Sequence, residues 1–398
     1  MWRRNVALLL SSTSVFNSCQ PQLTLHTFKY PSVVGFHTPL ISNQILSSEF
    51  GSLHKMGSLF SKFSSENETF IHASKTFIAE GPLFRHLYNS AIKEDIENKR
   101  GEIIATNLGE NLQTKMPMPM KKRIFHYYLP VYNWILEQKN NHGSDQTFVL
   151  GLSAAQGCGK TTLTLQLEEL FKSEGLTCAT VSIDDFYLTG QEQDTLAAKF
   201  PNNPLLRYRG NAGSHDLSLG VETLKKLKEL SAGQTVQVPR YDKSMRGGRG
   251  DRAPKGDWTT VTGAVDIVLF EGWSLGFQPL PDDDPLLEAE GKSLWEVNEF
   301  LKSYSAWYEI CDAWMVLKVQ DLDHIFDWRM EAEVQMRRST GKGMTDEQVR
   351  DFVERYMPAY RAYLPRLYET AEPRNKPKVL IEVDKERNPK DCASNIAN

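Results

Sequence analysis

Nothing in the 398 residues approaches the roughly 18 consecutive apolar residues of a membrane-spanning helix, so no spanning segment and no membrane partner are expected. Cysteine is scarce. The five present, Cys19, Cys158, Cys178, Cys311 and Cys392, show no metal-ligand spacing and no disulfide framework, and a reducing compartment fits them best. No internal repeat is evident. Acidic residues are nearly missing from one place: residues 1–62 hold Glu49 alone against Arg3, Arg4, Lys29, Lys55 and Lys62, amid frequent serine. That composition is the one an organelle transit peptide has. Import into a plastid, the chloroplast stroma, is expected, with the mitochondrion or the cytosol as alternatives. The VALLL run after Arg4 is short for a secretory signal. Losing this leader would take the formal charge from −4 to about −8, a balance that disfavours a general nucleic-acid binder.

What is present is a globular composition, 40% hydrophobic and 24% charged, enough for one large core or two modest ones. The chain is organised around FVLGLSAAQGCGKTT at 148–162. A short apolar run stops at a loop of small residues, Ala154, Ala155, Gln156, Gly157, Cys158 and Gly159, and continues into Lys160, Thr161, Thr162 and a leucine-periodic helix. Backbone N–H groups of such a loop surround a phosphate chain, and the helix N-terminus adds a field that favours anions. Lys160 is expected on the β/γ-phosphates and the Thr161 hydroxyl on Mg²⁺. The pattern G-x-x-x-x-G-K-[ST] asks for glycine where Ala154 stands, and Gly157 is the candidate to supply the missing freedom. Cys158, beside the loop, is either a redox-sensitive thiol or, the preferred reading, a small inert residue.

Upstream, residues 63–145 read as a polar helical extension. KKRIFHYYLPVYNWILEQ at 121–138 puts an apolar stripe on one side of a helix interrupted by Pro130, with Lys121, Lys122 and Arg123 expected to be solvated. Residues 140–146 read as a linker into a domain over 146–398. There, Leu163, Leu167, Leu170 and Phe171 mark the helix after the loop, and Gly175 its stop. Four more apolar runs read as strands: 177–187, ending at Asp184 and Asp185; 266–273, ending at Glu271; 313–319; and 378–384. Strands alternating with helices imply an α/β fold, a mostly parallel sheet wrapped on both faces, and acids at strand ends lie where ligands bind in such sheets.

Transfer of a γ-phosphoryl group to an alcohol needs positive charge on the phosphates, a metal, and a carboxylate that accepts the hydroxyl proton. Asp184 or Asp185 is the candidate base, the other serving metal or structure, or else capping a turn. Glu271 is the candidate metal ligand. Two loops, RYRGNAGSHD at 207–216 and VPRYDKSMRGGRGDR at 238–252, carry Arg209, His215, Asp216, Arg240, Tyr241 and Lys243. Their guanidinium groups suit a small anionic acceptor, while Arg246, Arg249 and Arg252 read as exposed beside flexible glycines. Farther on, Arg329, Glu333 and Arg337 recur at four-residue steps, either as a salt-bridged solvent face or as a lid, closed by GKGM at 341–344, over the transferring phosphate. Residues 346–363 read as one packing helix.

GLSAAQGCGKTT, SIDDFYLT, RGNAGSHD, PRYDKS and LFEGW, in this order, resemble the plant-type glycerate kinases, a branch of the P-loop kinase family that includes phosphoribulokinase, uridine kinase and pantothenate kinase. The resemblance implies a three-layer αβα P-loop domain, ATP and Mg²⁺ as cofactors, and D-glycerate as the acceptor at its 3-hydroxyl, in photorespiratory salvage. It implies Asp184 as base, Glu271 in metal binding, and Arg329 and Arg337 as charge-neutralising lid residues. Asp185, Tyr187, Arg209, His215, Asp216, Arg240, Tyr241 and Lys243 are the expected substrate side. A monomer is expected. Kinases of pantothenate, a nucleoside or a sugar phosphate are the rival enzymes, and an inactive ATP-binding regulatory protein is the rival from another class.

Overall fold

The computed structural model describes residues 72–88, 91–110, 116–143, 146–341, 343–369 and 374–394. The expected leader at 1–62, residues 144 and 145 of the expected linker and Lys342 of the expected lid turn lie outside them. The described residues fall in one compact unit. Its strands are β1 (Phe148–Ala154), β2 (Cys178–Ser182), β3 (Thr235–Val238), β4 (Tyr241–Asp242), β5 (Asp251–Arg252), β6 (Thr259–Thr262), β7 (Ile267–Gly272), β8 (Ala313–Val319), β9 (Lys378–Val383) and β10 (Pro389–Ser394). The main sheet runs β10-β9-β8-β1-β7-β2. All its neighbours are parallel except the edge pair β9 and β10. Every residue of β1 is buried, the pattern a central strand needs when helices cover both faces. The expected parallel core is there. The antiparallel edge β10 and the ribbons β3–β6 and β4–β5 have no counterpart in the sequence reading, because their residues are too polar to form an apolar run.

The helices that matter below are α1 (Glu94–Asn107), α2 (Met118–Arg123), α3 (Leu129–His142), α4 (Lys160–Ser173), α5 (Gly190–Lys199), α6 (Leu217–Lys228), α7 (Lys292–Leu301), α8 (Asp323–Thr340), α9 (Asp346–Glu354) and α10 (Met357–Leu367). Leu163, Leu167, Leu170 and Phe171 of α4 are fully buried, as the periodicity predicts. Residues 346–363 do not form one helix. The chain breaks at Arg355 and Tyr356, and Pro358, which has no N–H to continue the ladder, opens α10. Among the described residues no helix is long and apolar enough to cross a membrane.

In the N-terminal extension, α2 and α3 are joined by a π-turn, Ile124–Tyr128, immediately before Pro130. The stripe expected on one side is buried nearly all round, with Phe125, Leu129, Val131, Tyr132, Trp134 and Ile135 inaccessible. The reason is that α1 covers the outer side and α4 the inner. Arg100 of α1 bonds Glu174 at 2.6 Å and Asn133 at 2.8 Å, Asn107 bonds Gln166 at 3.0 Å, and the Tyr132 ring lies 4.9 Å from that of Phe171. The basic cluster is not simply solvated either: Arg123 donates to the Glu386 carbonyl at 2.7 Å and to Asn388 Oδ1 at 3.0 Å, and Lys121 to the His72 carbonyl.

Candidate active site

The phosphate loop joins β1 to α4. Gly157 has φ +82°, and a Cβ there would stand 2.5 Å from the Cβ of Trp328, so both backbone and packing require glycine. Ala154 ends β1 in extended backbone and is buried; a methyl group fits there, and the departure from glycine carries no strain. Burial pushes the Cys158 thiol up against the opposing charges of Lys160 and Arg387, which favours the inert reading of that residue. Lys160 donates to the Ala154 carbonyl at 2.6 Å and the Ala155 carbonyl at 3.3 Å. Thr161 is exposed and Thr162 half-buried in the first turn of α4, where the helix field favours anions.

Three side chains brace this loop that the sequence reading did not single out. The Tyr360 hydroxyl accepts the Gln156 N–H at 3.1 Å. Arg387 donates to the Gly157 carbonyl at 2.7 Å and to Glu331 at 2.8 Å, over the Trp328 ring at 5.1 Å. Arg387 follows the parallel strand β9, and the rule that ligands gather beyond strand C-termini was its only signal. Tyr360 and Trp328 lie in helices of ordinary amphipathic pattern and gave none.

Strand order brings the acids to the loop. β7 lies between β1 and β2, so Glu271 pairs with Leu152 on one side and Ser182 on the other. Burial raises the Glu271 carboxyl, and Lys160 opposes it. A carboxylate raised by burial, at the end of the strand beside β1, and the exposed Thr161 hydroxyl of the loop that β1 feeds are hard-oxygen donors of the kind that suit Mg²⁺. Among the described residues there is no cluster of three or more potential metal-ligating side chains; magnesium in phosphoryl-transfer sites commonly takes one or two carboxylates, its other ligands being phosphate and water.

β2 stops at Ser182 rather than continuing through 187, and Ile183–Phe186 make a 3₁₀ turn that sends Asp184 and Asp185 to different partners. Asp184 Oδ2 accepts from Lys243 Nζ at 2.5 Å, while its Oδ1 is buried without a hydrogen-bond partner. Burial alone would raise this carboxyl; Lys243 outweighs it, with smaller help from Tyr187 and His215, and holds it at about 2. Asp185 accepts from Arg240 at 2.9 Å and from the Tyr241 N–H at 3.1 Å. Burial dominates there and pushes it up to about 6 despite Arg240. Asp185 therefore anchors the 240–241 segment, whose next residues deliver Lys243 to Asp184.

The Tyr187 ring stacks on His215 at 4.6 Å. Arg209 donates to the carbonyls of Gly248 and Arg249 and lies over Tyr241, tying the two substrate-side loops together. Asp216 caps α6 through Leu219 N at 3.0 Å and pairs with Arg252 at 3.1 Å, and Arg252 also donates to the Tyr187 carbonyl at 3.1 Å. Arg246 and Arg249 both pair with Asp194 of α5; these three loop arginines are engaged rather than free. Arg329 bonds Glu333 at 2.6 Å, under Phe352, and Arg337 bonds Asp346 at 2.7 Å and the Met344 carbonyl at 2.8 Å. Glu333 is itself buried and accepts from Met344 N at 2.7 Å, so this side of α8 faces α9, not solvent.

A short aromatic row links the parts. Gly210 lies so close to Tyr356 that a Cβ would come within 2.4 Å of the ring. The Trp273 ring, two residues beyond Glu271, packs between Tyr356 at 5.0 Å and Tyr360 at 5.1 Å.

The model of the phosphoribulokinase/uridine kinase family matches residues 149–278. A chloroplastic D-glycerate 3-kinase of Arabidopsis thaliana is 48% identical over 288 residues, 70% of this chain and 63% of that one; the chain thus spans under two thirds of that relative's length. An uncharacterized kinase of Schizosaccharomyces pombe, mug58, is 36% identical over 58% of this chain and 86% of its own. A solved D-glycerate 3-kinase from Cryptococcus neoformans superposes with a TM-score of 0.60 at 34% identity, covering 67% of this chain and 98% of that one.

Proposed function

The chain belongs to the phosphoribulokinase/uridine kinase family, and from that premise we propose that it is a D-glycerate 3-kinase, transferring the γ-phosphoryl group of ATP to the 3-hydroxyl of D-glycerate to give 3-phosphoglycerate and ADP. The observation that carries the reading is Asp184: a carboxylate kept ionised by Lys243, with one buried oxygen unpartnered, just past the end of the strand one place removed from that of the phosphate loop. The similarity to two D-glycerate 3-kinases supports the choice of acceptor.

In this reading Asp184 Oδ1 takes the proton of the 3-hydroxyl as its oxygen bonds phosphorus. Lys160 moves from the Ala154 and Ala155 carbonyls to the phosphates, and the α4 N-terminus and loop N–H groups hold their charge. Arg209 and Lys243 supply positive charge for the glycerate carboxylate. Thr161 and Glu271 would hold Mg²⁺, which supplies charge neutralisation on the phosphate oxygens. Arg329 and Arg337 would serve as the lid residues, exchanging Glu333 and Asp346 for phosphate on closure. Residues 1–62 serve as the transit peptide, 63–145 as the helical extension and 146–398 as the kinase domain. The leader's composition and the chloroplastic Arabidopsis relative support import into the chloroplast.

The test is a phosphorylation assay on the purified chain with ATP and Mg²⁺ against D-glycerate, L-glycerate, ribulose 5-phosphate, uridine and pantothenate. D-glycerate should lead in kcat/KM by about 100-fold. A preference for uridine or pantothenate would replace the acceptor assignment.

A further inference from the structure

His215 follows the glycine turn of the 207–216 loop and is zipped to the segment just beyond Asp184. Leu188 N bonds the Ser214 carbonyl at 2.9 Å, Asp216 N bonds the Phe186 carbonyl at 2.7 Å, and Tyr187 and His215 form a β-bridge. The imidazole is 6% exposed, stacked on Tyr187 and edge-on to Tyr304 and Trp307.

Two hydrogen bonds decide which ring nitrogen carries the proton. The Tyr304 hydroxyl oxygen lies 3.0 Å from the Gly213 N–H and 2.7 Å from His215 Nδ1. Gly213 N–H can only donate, so the phenol oxygen accepts from it. If Nδ1 also donated, the Tyr304 proton would be left without an acceptor in a buried place, at the full cost of an unsatisfied donor. With Tyr304 O–H donating to Nδ1, all three groups are satisfied, and the neutral ring then carries its proton on Nε2. Burial holds the ring neutral, its pKa pressed down to about 3 although the charge of Asp184 works the other way.

That leaves two orphans in one neighbourhood. His215 Nε2 is buried with no hydrogen-bond partner among the described residues, and so is Asp184 Oδ1, although the Tyr187 side chain also acts on that carboxyl; the Tyr187–His215 bridge and the Leu188–Ser214 and Asp216–Phe186 bonds hold the His215 turn against the segment that follows Asp184. One is a donor and one an acceptor. A hydroxyl group satisfies both at once.

We propose that Tyr304 is a positioning residue that fixes His215 as its Nε2–H tautomer, and that this N–H binds the acceptor hydroxyl whose proton goes to Asp184. The inference rests on the kinase reading above. The hydroxyl gives its proton to Asp184 Oδ1 and one lone pair to Nε2–H, which aims the remaining pair at phosphorus. The O–H bond breaks toward Asp184, the O–P bond forms, and the bond from the γ-phosphorus to the bridging oxygen breaks with its electrons leaving on ADP. His215 keeps its proton throughout.

The experiment combines ¹⁵N-histidine NMR on the full chain with steady-state kinetics. Wild type should show an Nε2–H ring for His215, assigned by loss of its signal in His215→Gln, and D-glycerate should shift the Nε2 resonance. Tyr304→Phe, which keeps the ring and loses only the hydroxyl, should let the Nδ1–H tautomer appear and raise the KM for D-glycerate about tenfold while the KM for ATP holds. His215→Gln, which retains an N–H donor, should keep more activity than His215→Leu. An Nδ1–H ring in wild type, or an unchanged D-glycerate KM in a folded Tyr304→Phe protein, overturns the proposal. If wild type does not phosphorylate D-glycerate, the functional reading falls and this inference with it; phosphorylation that persists while D-glycerate leaves the Nε2 resonance unmoved overturns this inference alone.

Discussion

The carboxyl groups of Asp184 and Asp185, consecutive in the chain, are held at about 2 and about 6. The difference lies in their surroundings. Lys243 overcomes the burial of Asp184, whereas Arg240 and the Tyr241 N–H do not overcome that of Asp185. If Asp184 is the base, Asp184→Asn lowers kcat by about 10³-fold with ATP affinity by calorimetry nearly unchanged; near-normal turnover removes the assignment. Asp185 has a thermodynamic signature instead. Its folded pKa is raised, so between about pH 4 and 6 only the folded chain keeps the proton, and the stability contributed by this group falls as pH rises through that window. Denaturant titration should show the wild type losing on the order of 2 kcal/mol relative to Asp185→Asn between those limits; a flat difference contradicts the raised value. The sequence shows a pair of acids at a strand end but not which does what, because the residues that separate them arrive 55 to 59 positions later.

At the level of elements, the phosphate loop is held from behind. The Tyr360 hydroxyl takes the N–H of Gln156, so this amide is fixed by the protein. Tyr360→Phe should raise the KM for ATP about fivefold, the effect of one hydrogen bond, with a far smaller effect on the KM for D-glycerate; equal changes in both would mean general loosening. The parallel strands β1, β7, β8 and β9 were legible because both faces are covered and their apolar runs are nearly continuous. β3 alternates exposed and buried, and β6 has no buried residue, so neither announced itself. Asp216 shows the same limit: its motif points to substrate, and its contacts with Leu219 N of α6 and with Arg252 are visible only once the two loops are folded together.

Across the whole molecule, the helices at 94–107 and 129–142 pack on α4, the helix that leaves the phosphate loop. Tyr132 packs on Phe171 of α4, and Arg100 clamps Glu174 just past the helix end. A chain starting at residue 63 should match full-length turnover, whereas one starting at residue 146 should lose soluble yield and melt earlier, because the apolar back of α4 is then bared; equal melting of the two would show the extension to be dispensable. Its helical character was legible and its all-round burial was not, since the covering helix α1 is polar by composition. The aromatic row at the start of α10 has a consequence for ligand affinity. Tyr356 leans on the acceptor-side loop at Gly210, and one turn later Tyr360 holds the phosphate loop, with Trp273 wedged between. This row of Tyr356, Trp273 and Tyr360, acting as a rod, touches both loops, and any shift of it on filling one would alter the other. Thermodynamic reciprocity then requires that glycerate change nucleotide affinity by the same factor as nucleotide changes glycerate affinity, and severing the rod at Trp273 should bring both factors toward unity together.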